Sequence, residues 1–349
     1  MKFSYVMLPQ YPLDDAIDAI TLADELGYYA CYAVDETWHK DLFLMFAAAA
    51  KSTRNIRMGP NVTHVFLREP TLIAQALATL DELTDGRAEM VVSTGNYVMM
   101  EQYGLGDWSR RKPLSRLKEA LYVMRTFLDE GKIEFDGEFF NYSGLWTNAR
   151  PIQKPLPFKM GCMKGPRSFE AAGEYADGMH LAIAYSREAW EYAAKHTKIG
   201  VDRAGKDWST YDFGAWVTTV VSEDSAAAKE AARILAAFYI PSMPRDLIAR
   251  HGLDPDDLAP IFDAFAAGDL DRVMELTTPE LGDLLSVSGT PEEVVDKIKS
   301  DIAPTGVNHM VLAISDPTIV RVFSGREVDV PSVQEQLRLV ADRVMPAFG

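Results

Sequence analysis

Cysteine is scarce in this chain: Cys31 and Cys162 are the only two among 349 residues. They lie far apart and match neither metal-ligand nor redox spacing, so a disulfide scaffold is excluded and both read as buried, reduced thiols. Long apolar runs are missing as well. No stretch reaches the roughly eighteen apolar residues that span a bilayer, and the opening Met1-Lys2-Phe3-Ser4-Tyr5-Val6-Met7 lacks the layout of a secretion signal. Basic residues number 35 against 51 acidic ones, for a net charge of −16. That balance excludes general nucleic-acid affinity, which needs a basic footprint. The six histidines include no His-x-x-x-His pair, so no metal site is expected. Neither a Gly-x-Ser-x-Gly elbow nor a Walker loop occurs. These absences point to a cytoplasmic protein whose partner is a small molecule, with no nucleic acid or membrane involved. In so acidic a chain, an anionic ligand must find a local site such as a helix N-terminus.

What is present is a regular alternation. Short β-rich runs are expected at 3–8, 29–34, 56–63, 88–93, 158–163, 178–183, 211–221 and 309–314. Amphipathic helical patterns stand between them. One starts near Leu13 and ends at Gly27, one covers 41–52, one starts at Pro70 and runs to Leu83, and one covers 114–128. The stretch 132–157, with Asp136-Gly137 at its centre, reads as a hairpin excursion. A mostly helical insertion is expected at about 225–285, broken near Pro241 and Pro244. Further helices are expected over 291–302 and 330–345. Eight strands interleaved with helices favour an α/β fold of the (β/α)8 TIM-barrel type, as one domain over 1–349.

Chemistry in such barrels sits at the C-terminal strand ends. After the second strand comes Asp35-Glu36-Thr37-Trp38-His39-Lys40-Asp41, which places proton carriers beside an indole wall. The same run also reads as a polar loop that caps the next helix. Gly59-Pro60-Asn61-Val62-Thr63-His64 ends the third strand and suggests either unusual backbone geometry or a simple turn. Ser93-Thr94-Gly95-Asn96 ends the fourth, where small residues let a backbone approach a flat ring or a phosphate. Met163-Lys164-Gly165-Pro166-Arg167-Ser168 follows the fifth and opens a helix. Its free N–H groups, Lys164 and Arg167 suit an anion.

Several of these strings, taken together, resemble the luciferase-like family. They are Gly59-Pro60-Asn61-Val62-Thr63, Arg68-Glu69-Pro70, the run from Ala76 to Arg87, Gly165-Pro166, Ala176-Asp177-Gly178 and Ser288-Gly289-Thr290-Pro291-Glu292. Within it, Arg250-His251-Gly252-Leu253, Gly268-Asp269-Leu270 and 285–291 are similar to the F420-dependent methylenetetrahydromethanopterin reductases. The F420-dependent glucose-6-phosphate dehydrogenases are more distant.

The resemblance implies an oxidoreductase that uses the deazaflavin coenzyme F420, with FMN as the alternative cofactor and a monooxygenase or a non-catalytic protein as alternative roles. It implies a homo-oligomer, such as a dimer. The deazaflavin ring would rest on a non-prolyl cis peptide at Asn61–Val62, near Asp35, Ser93, Thr94 and Gly95. The phosphate would sit on Lys164 and Gly165. Three positions depart from the relatives: Val6 stands where the reductases carry a glutamate, Glu36 where the sugar-phosphate enzymes carry a histidine, and Asn96 where those enzymes carry a glutamate. Glu36 is therefore the expected acid/base, with His39 as its nearest substitute. Val6, Trp38 and Asn96 are expected to face the substrate.

Overall fold

The computed structural model describes residues 1–349 except Pro9, Asn96, Ile183 and Ala184, and except the side chains of Tyr97, Val98, Met99, Trp108 and Ser109. Its strands are β1 (Lys2–Met7), β2 (Ala30–Ala33), β3 (Arg57–His64), β4 (Met90–Ser93), β5 (Lys132–Asp136), β6 (Asn141–Trp146), β7 (Phe158–Cys162), β8 (Gly178–Ala182), β9 (Asp212–Val221), β10 (Val287–Gly289) and β11 (His309–Ile314). Eight of them close a parallel ring in the order β9-β11-β1-β2-β3-β4-β7-β8, with β8 returning to β9. This is the expected (β/α)8 barrel. The short β10 extends the C-terminal half of β9 and was not foreseen. The Asp136-Gly137 region does form an antiparallel hairpin, β5–β6, outside the barrel.

Helices follow the capping chemistry of the sequence. Asp41 accepts from the Leu44 N–H and starts Leu42–Ala49, while Glu69 with Pro70 starts Pro70–Leu83. The stretch expected as one helix over 330–345 begins later, at Val333. Ser332 and Glu335 form a capping box there, directly after Pro331, and beyond Leu339 the turns widen. Between Ser225 and Leu284 the chain is helical but divided. A long helix, Ser225–Tyr239, tightens into a short turn at Ile240–Ser242 and is followed by four short helices. Arg187–Arg203 and Pro317–Ser324 are helices that the apolar pattern did not single out. No helix among the described residues is long and apolar enough to cross a membrane.

The barrel interior has two floors. The upper one is apolar: Val6, Tyr32, Val91, Trp216, Val311 and Ala313 cluster there, with Val62, Ala182 and Tyr239 packed against them. The lower one is charged, although such interiors are usually filled by branched apolar side chains. Glu89, Lys159, His180, Asp212 and His309 are all buried and linked to one another. Two glycines make room for this filling. A Cβ on Gly214 would collide with the His180 ring, and one on Gly161 would lie 2.6 Å from Val62 Cγ1.

Candidate active site

The mouth of the barrel is built by the loops after β1, β2, β3, β4 and β7, as the strand-end rule requires. The β2 loop carries Asp35, Glu36, Trp38 and His39. Glu36 Oε2 lies 3.8 Å from His39 Nε2, and their side chains are 19% and 3% exposed. Burial pushes the Glu36 carboxyl up to about 7. The Trp38 indole hydrogen bond opposes this in part, and the negative charge of Asp35 adds to it. Burial, aided by Lys40, pushes His39 down to about 4, so its ring is neutral at physiological pH. Gln10 Nε2 stands 2.8 Å from His39 Nδ1. With the amide donating, the ring proton resides on Nε2, the nitrogen facing Glu36.

Trp38 is partly exposed and stacks on Tyr103, whose hydroxyl bonds to the Thr37 backbone N–H and hydroxyl. Asp35 is engaged more tightly than its expected cofactor role alone would suggest. Its carboxylate accepts from Thr63 Oγ1 at 2.7 Å and from Arg68 at 2.8 and 3.1 Å. Its backbone N–H donates to the Val62 carbonyl. Asp35 thereby ties the β2 loop to the end of β3.

At that end the Asn61–Val62 peptide is cis, as the family resemblance implied. The β3–β4 register shifts between Asn61 and Thr63, so this segment bulges out of the ladder. Ser93 Oγ accepts from the Gly95 N–H at 2.9 Å, which folds the β4 end back on itself beside Thr94. Gly165 has φ +75° and open space where a Cβ would sit, and it caps the helix Pro166–Tyr175. Lys164 is exposed next to it. Asn96 and the 183–184 segment lie outside the described residues.

Sequence reading missed one group here. Tyr239 reaches the mouth from the end of the Ser225–Tyr239 helix, with its ring 5.4 Å from Trp216 and edge-on to it. Burial, followed by the charges of Tyr185 and Glu36, raises its phenol, which puts it in the electrostatic neighbourhood of Glu36. Only closure of the barrel brings these positions together. Gln10, two residues beyond the first expected strand, falls under the strand-end rule, although no motif marked it.

A closed parallel barrel with an acid, an imidazole and an anion-ready helix start at its C-terminal mouth is an enzyme scaffold of the luciferase type. Residues 1–309 match the model of the luciferase-like monooxygenase family, and the chain belongs to that family. It is 30% identical over 315 residues to a 5,10-methylenetetrahydromethanopterin reductase of Archaeoglobus fulgidus, covering 89% of this chain and 92% of that one. Against the Methanopyrus kandleri enzyme of the same name it is 27% identical over 360 residues, covering 100% and 99%. The solved structure of the F420-dependent tetrahydromethanopterin reductase from Methanopyrus kandleri superposes with a TM-score of 0.88 at 26% identity, covering 100% and 99%. An F420-dependent secondary alcohol dehydrogenase, solved with an F420-acetone adduct, shares the fold with a TM-score of 0.79 at 21% identity, covering 100% and 99%.

Proposed function

We propose that this chain is a coenzyme F420-dependent oxidoreductase in which Glu36 exchanges a proton with a small organic substrate. The observation that carries this reading is Glu36 itself, a mostly buried carboxyl at the barrel mouth that burial pushes up to about 7. A general acid that also serves as base in the reverse direction needs that pKa range.

The residues present fit the coenzyme. The Asn61–Val62 bulge offers a backbone platform, with Asp35, Ser93, Thr94 and Gly95 around it. Gly165 leaves the start of the Pro166–Tyr175 helix uncovered. The N–H groups there, with Lys164, suit the phosphate of the coenzyme tail. When bound, the deazaflavin supplies the hydride, and the protein supplies orientation and the proton.

Glu36 donates to the substrate atom paired with the hydride-accepting carbon (oxygen, nitrogen or the second carbon) during reduction and accepts from it during oxidation. Neutral His39, held by Gln10, turns its Nε2–H toward the carboxyl from 3.8 Å. Val6, Val62, Trp216 and Tyr239 form an apolar enclosure that keeps water from the reacting carbon. Trp38 walls the outer side, and Asn96 is assigned to the same pocket on sequence grounds. The reductases similar to this chain act on a pterin. Val6, however, can neither hydrogen-bond a pterin nor relay a proton, which favours a smaller substrate with apolar groups flanking a C=O, C=N or C=C.

The test is a fluorescence titration with F420 and a parallel one with FMN, followed by turnover assays of Glu36→Gln. Retained F420 binding with turnover reduced about 10²-fold or more is the expected result. Preference for FMN, or unchanged turnover in the variant, would overturn the reading.

A further inference from the structure

Below the mouth, a buried hydrogen-bond chain connects the charged floor of the barrel to the Asn61–Val62 bulge. Asn61 Nδ2 lies 3.0 Å from His180 Nδ1, and His180 Nε2 lies 3.3 Å from Asp212 Oδ1. Asp212 also receives His309 Nδ1 at 3.0 Å, Lys159 Nζ at 3.0 Å and Lys2 Nζ at 2.9 Å. His309 Nε2 in turn stands 2.7 Å from Ser4 Oγ. Asn61, His180, Asp212, His309 and Ser4 are all buried.

The polarity of this chain is determined. A carboxylate only accepts, so the two ring nitrogens that face Asp212 carry the protons. His180 Nδ1 is then an acceptor, and the Asn61 amide must turn its NH2 group toward it. Burial lowers His180 to about 4, against the pull of Asp212, which agrees with a neutral ring. Two histidines and an aspartate within reach of one another resemble a metal tripod. Two ammonium groups already sit on the same carboxylate, however, which removes the electrostatic case for a divalent cation.

We infer that His180, anchored by Asp212, is a positioning residue that fixes the Asn61 amide and with it the platform on which the cofactor ring rests. The assignment of that platform to the ring rests on the function proposed above. Asp35 holds the same segment from the other side through its N–H bond to the Val62 carbonyl. Gly214 serves this arrangement, because any Cβ there would crowd the Cδ2–Nε2 edge of the His180 ring and displace the ring from its place between Asn61 and Asp212.

The test compares His180→Leu, His180→Gln and Gly214→Ala with the wild type. Glutamine can still accept from Asn61 through its carbonyl and donate to Asp212 through its amide; leucine can do neither. Crystal structures of the unliganded proteins should show the Asn61–Val62 segment displaced in His180→Leu and retained in His180→Gln. His180→Leu should weaken F420 binding about tenfold through misplacement of the ring platform and shift the visible absorption band of the bound coenzyme. His180→Gln should restore both. If His180→Leu does not fold, Gly214→Ala is read in the same way, since it keeps the histidine and crowds it.

An unmoved segment with unchanged F420 affinity and spectrum would overturn the inference, even if the melting temperature fell. If the wild type binds no F420, the proposed function fails. The crystallographic comparison then still decides whether His180 sets the segment.

Discussion

Glu36 and His39 face each other at 3.8 Å across one turn of the β2 loop, yet the shared burial drives their proton affinities in opposite directions. The carboxyl rises to about 7 and the imidazole falls to about 4. Between these values both groups are neutral. The carboxyl, rather than the imidazole, is therefore the member of the pair that carries an exchangeable proton near physiological pH.

Reduction needs protonated Glu36 and should decline as pH rises through about 7, whereas oxidation of the reduced substrate should increase over the same range. Glu36→Gln should flatten both profiles. Stability provides an independent check. The folded protein holds this proton more tightly than the unfolded chain, whose carboxyl titrates at its ordinary value of 4.5. The contribution is therefore complete below about 4.5 and is lost as pH rises through about 7, on the order of 3 kcal/mol at most. Denaturant titrations should show Glu36→Gln gaining on the wild type at pH 8 but not at pH 4. Parallel curves at both pH values would contradict the assigned burial.

Gly161→Ala should disturb the platform from inside the barrel. The new methyl would lie 2.6 Å from Val62 Cγ1 and 3.4 Å from Ser93 Cβ, and a β-branched valine has few rotamers with which to retreat. Overpacking of this kind costs about 1–3 kcal/mol. Weaker F420 binding is expected along with the lower stability. A variant that loses stability but titrates F420 like the wild type would show that Val62 does not support the ring.

The barrel was legible in the sequence because parallel strands buried on both faces leave short apolar runs, and eight of these alternate with capped helices. Strand ends agreed to within a residue or two, as at β3 and β11. The Glu36 and Gly165 loops were legible for the same reason, since each follows directly on a strand. The charged floor was not. Glu89, Lys159, His180, Asp212 and His309 come from separate places along the chain and lie in or beside apolar runs, and a search for close histidine spacing cannot see groups that only ring closure brings together. Tyr239 was hidden in another way. It ends a helix whose pattern marks it as one more packing residue, and its approach to Glu36 depends on where that helix stops.

The phosphate assignment can be tested at a single backbone position. Gly165 has φ +75° and ψ 142°, a region that side-chain-bearing residues avoid at a cost of about 1–3 kcal/mol. Because nothing lies within 4 Å of the missing Cβ, Gly165→Ala acts through the backbone alone. It should reorient the N–H groups at the helix start and weaken binding of F420 more than that of a deazaflavin lacking the phosphate tail. Lys164→Ala should reduce the same preference and also its dependence on salt. Equal losses for both ligands would remove the phosphate from this site.

Lys159 separates two buried carboxylates, at 2.7 Å from Glu89 and 3.0 Å from Asp212. Burial alone would raise Glu89, yet Lys159 and Arg57 hold it down at about 2, and Lys159 and His309 hold Asp212 well below the ordinary range. Both carboxyls are thus depressed in the fold. Their stabilisation is complete above the unfolded carboxyl range near 4–4.5 and is lost as pH falls toward 2. Lys159→Met removes the shared cation and leaves two charges without their main partner in the interior. A loss of about 3–5 kcal/mol at pH 7 is expected, as for other broken buried pairs. The penalty should shrink as the medium is acidified, because the freed carboxyls then take up protons more readily than in the wild type. The double variant Lys159→Met with Glu89→Gln should recover part of the loss, since it withdraws one of the stranded charges. Thermal unfolding of the three proteins between pH 4 and pH 7 measures this directly. If the double variant is no more stable than Lys159→Met alone, the lysine acts through packing rather than through charge.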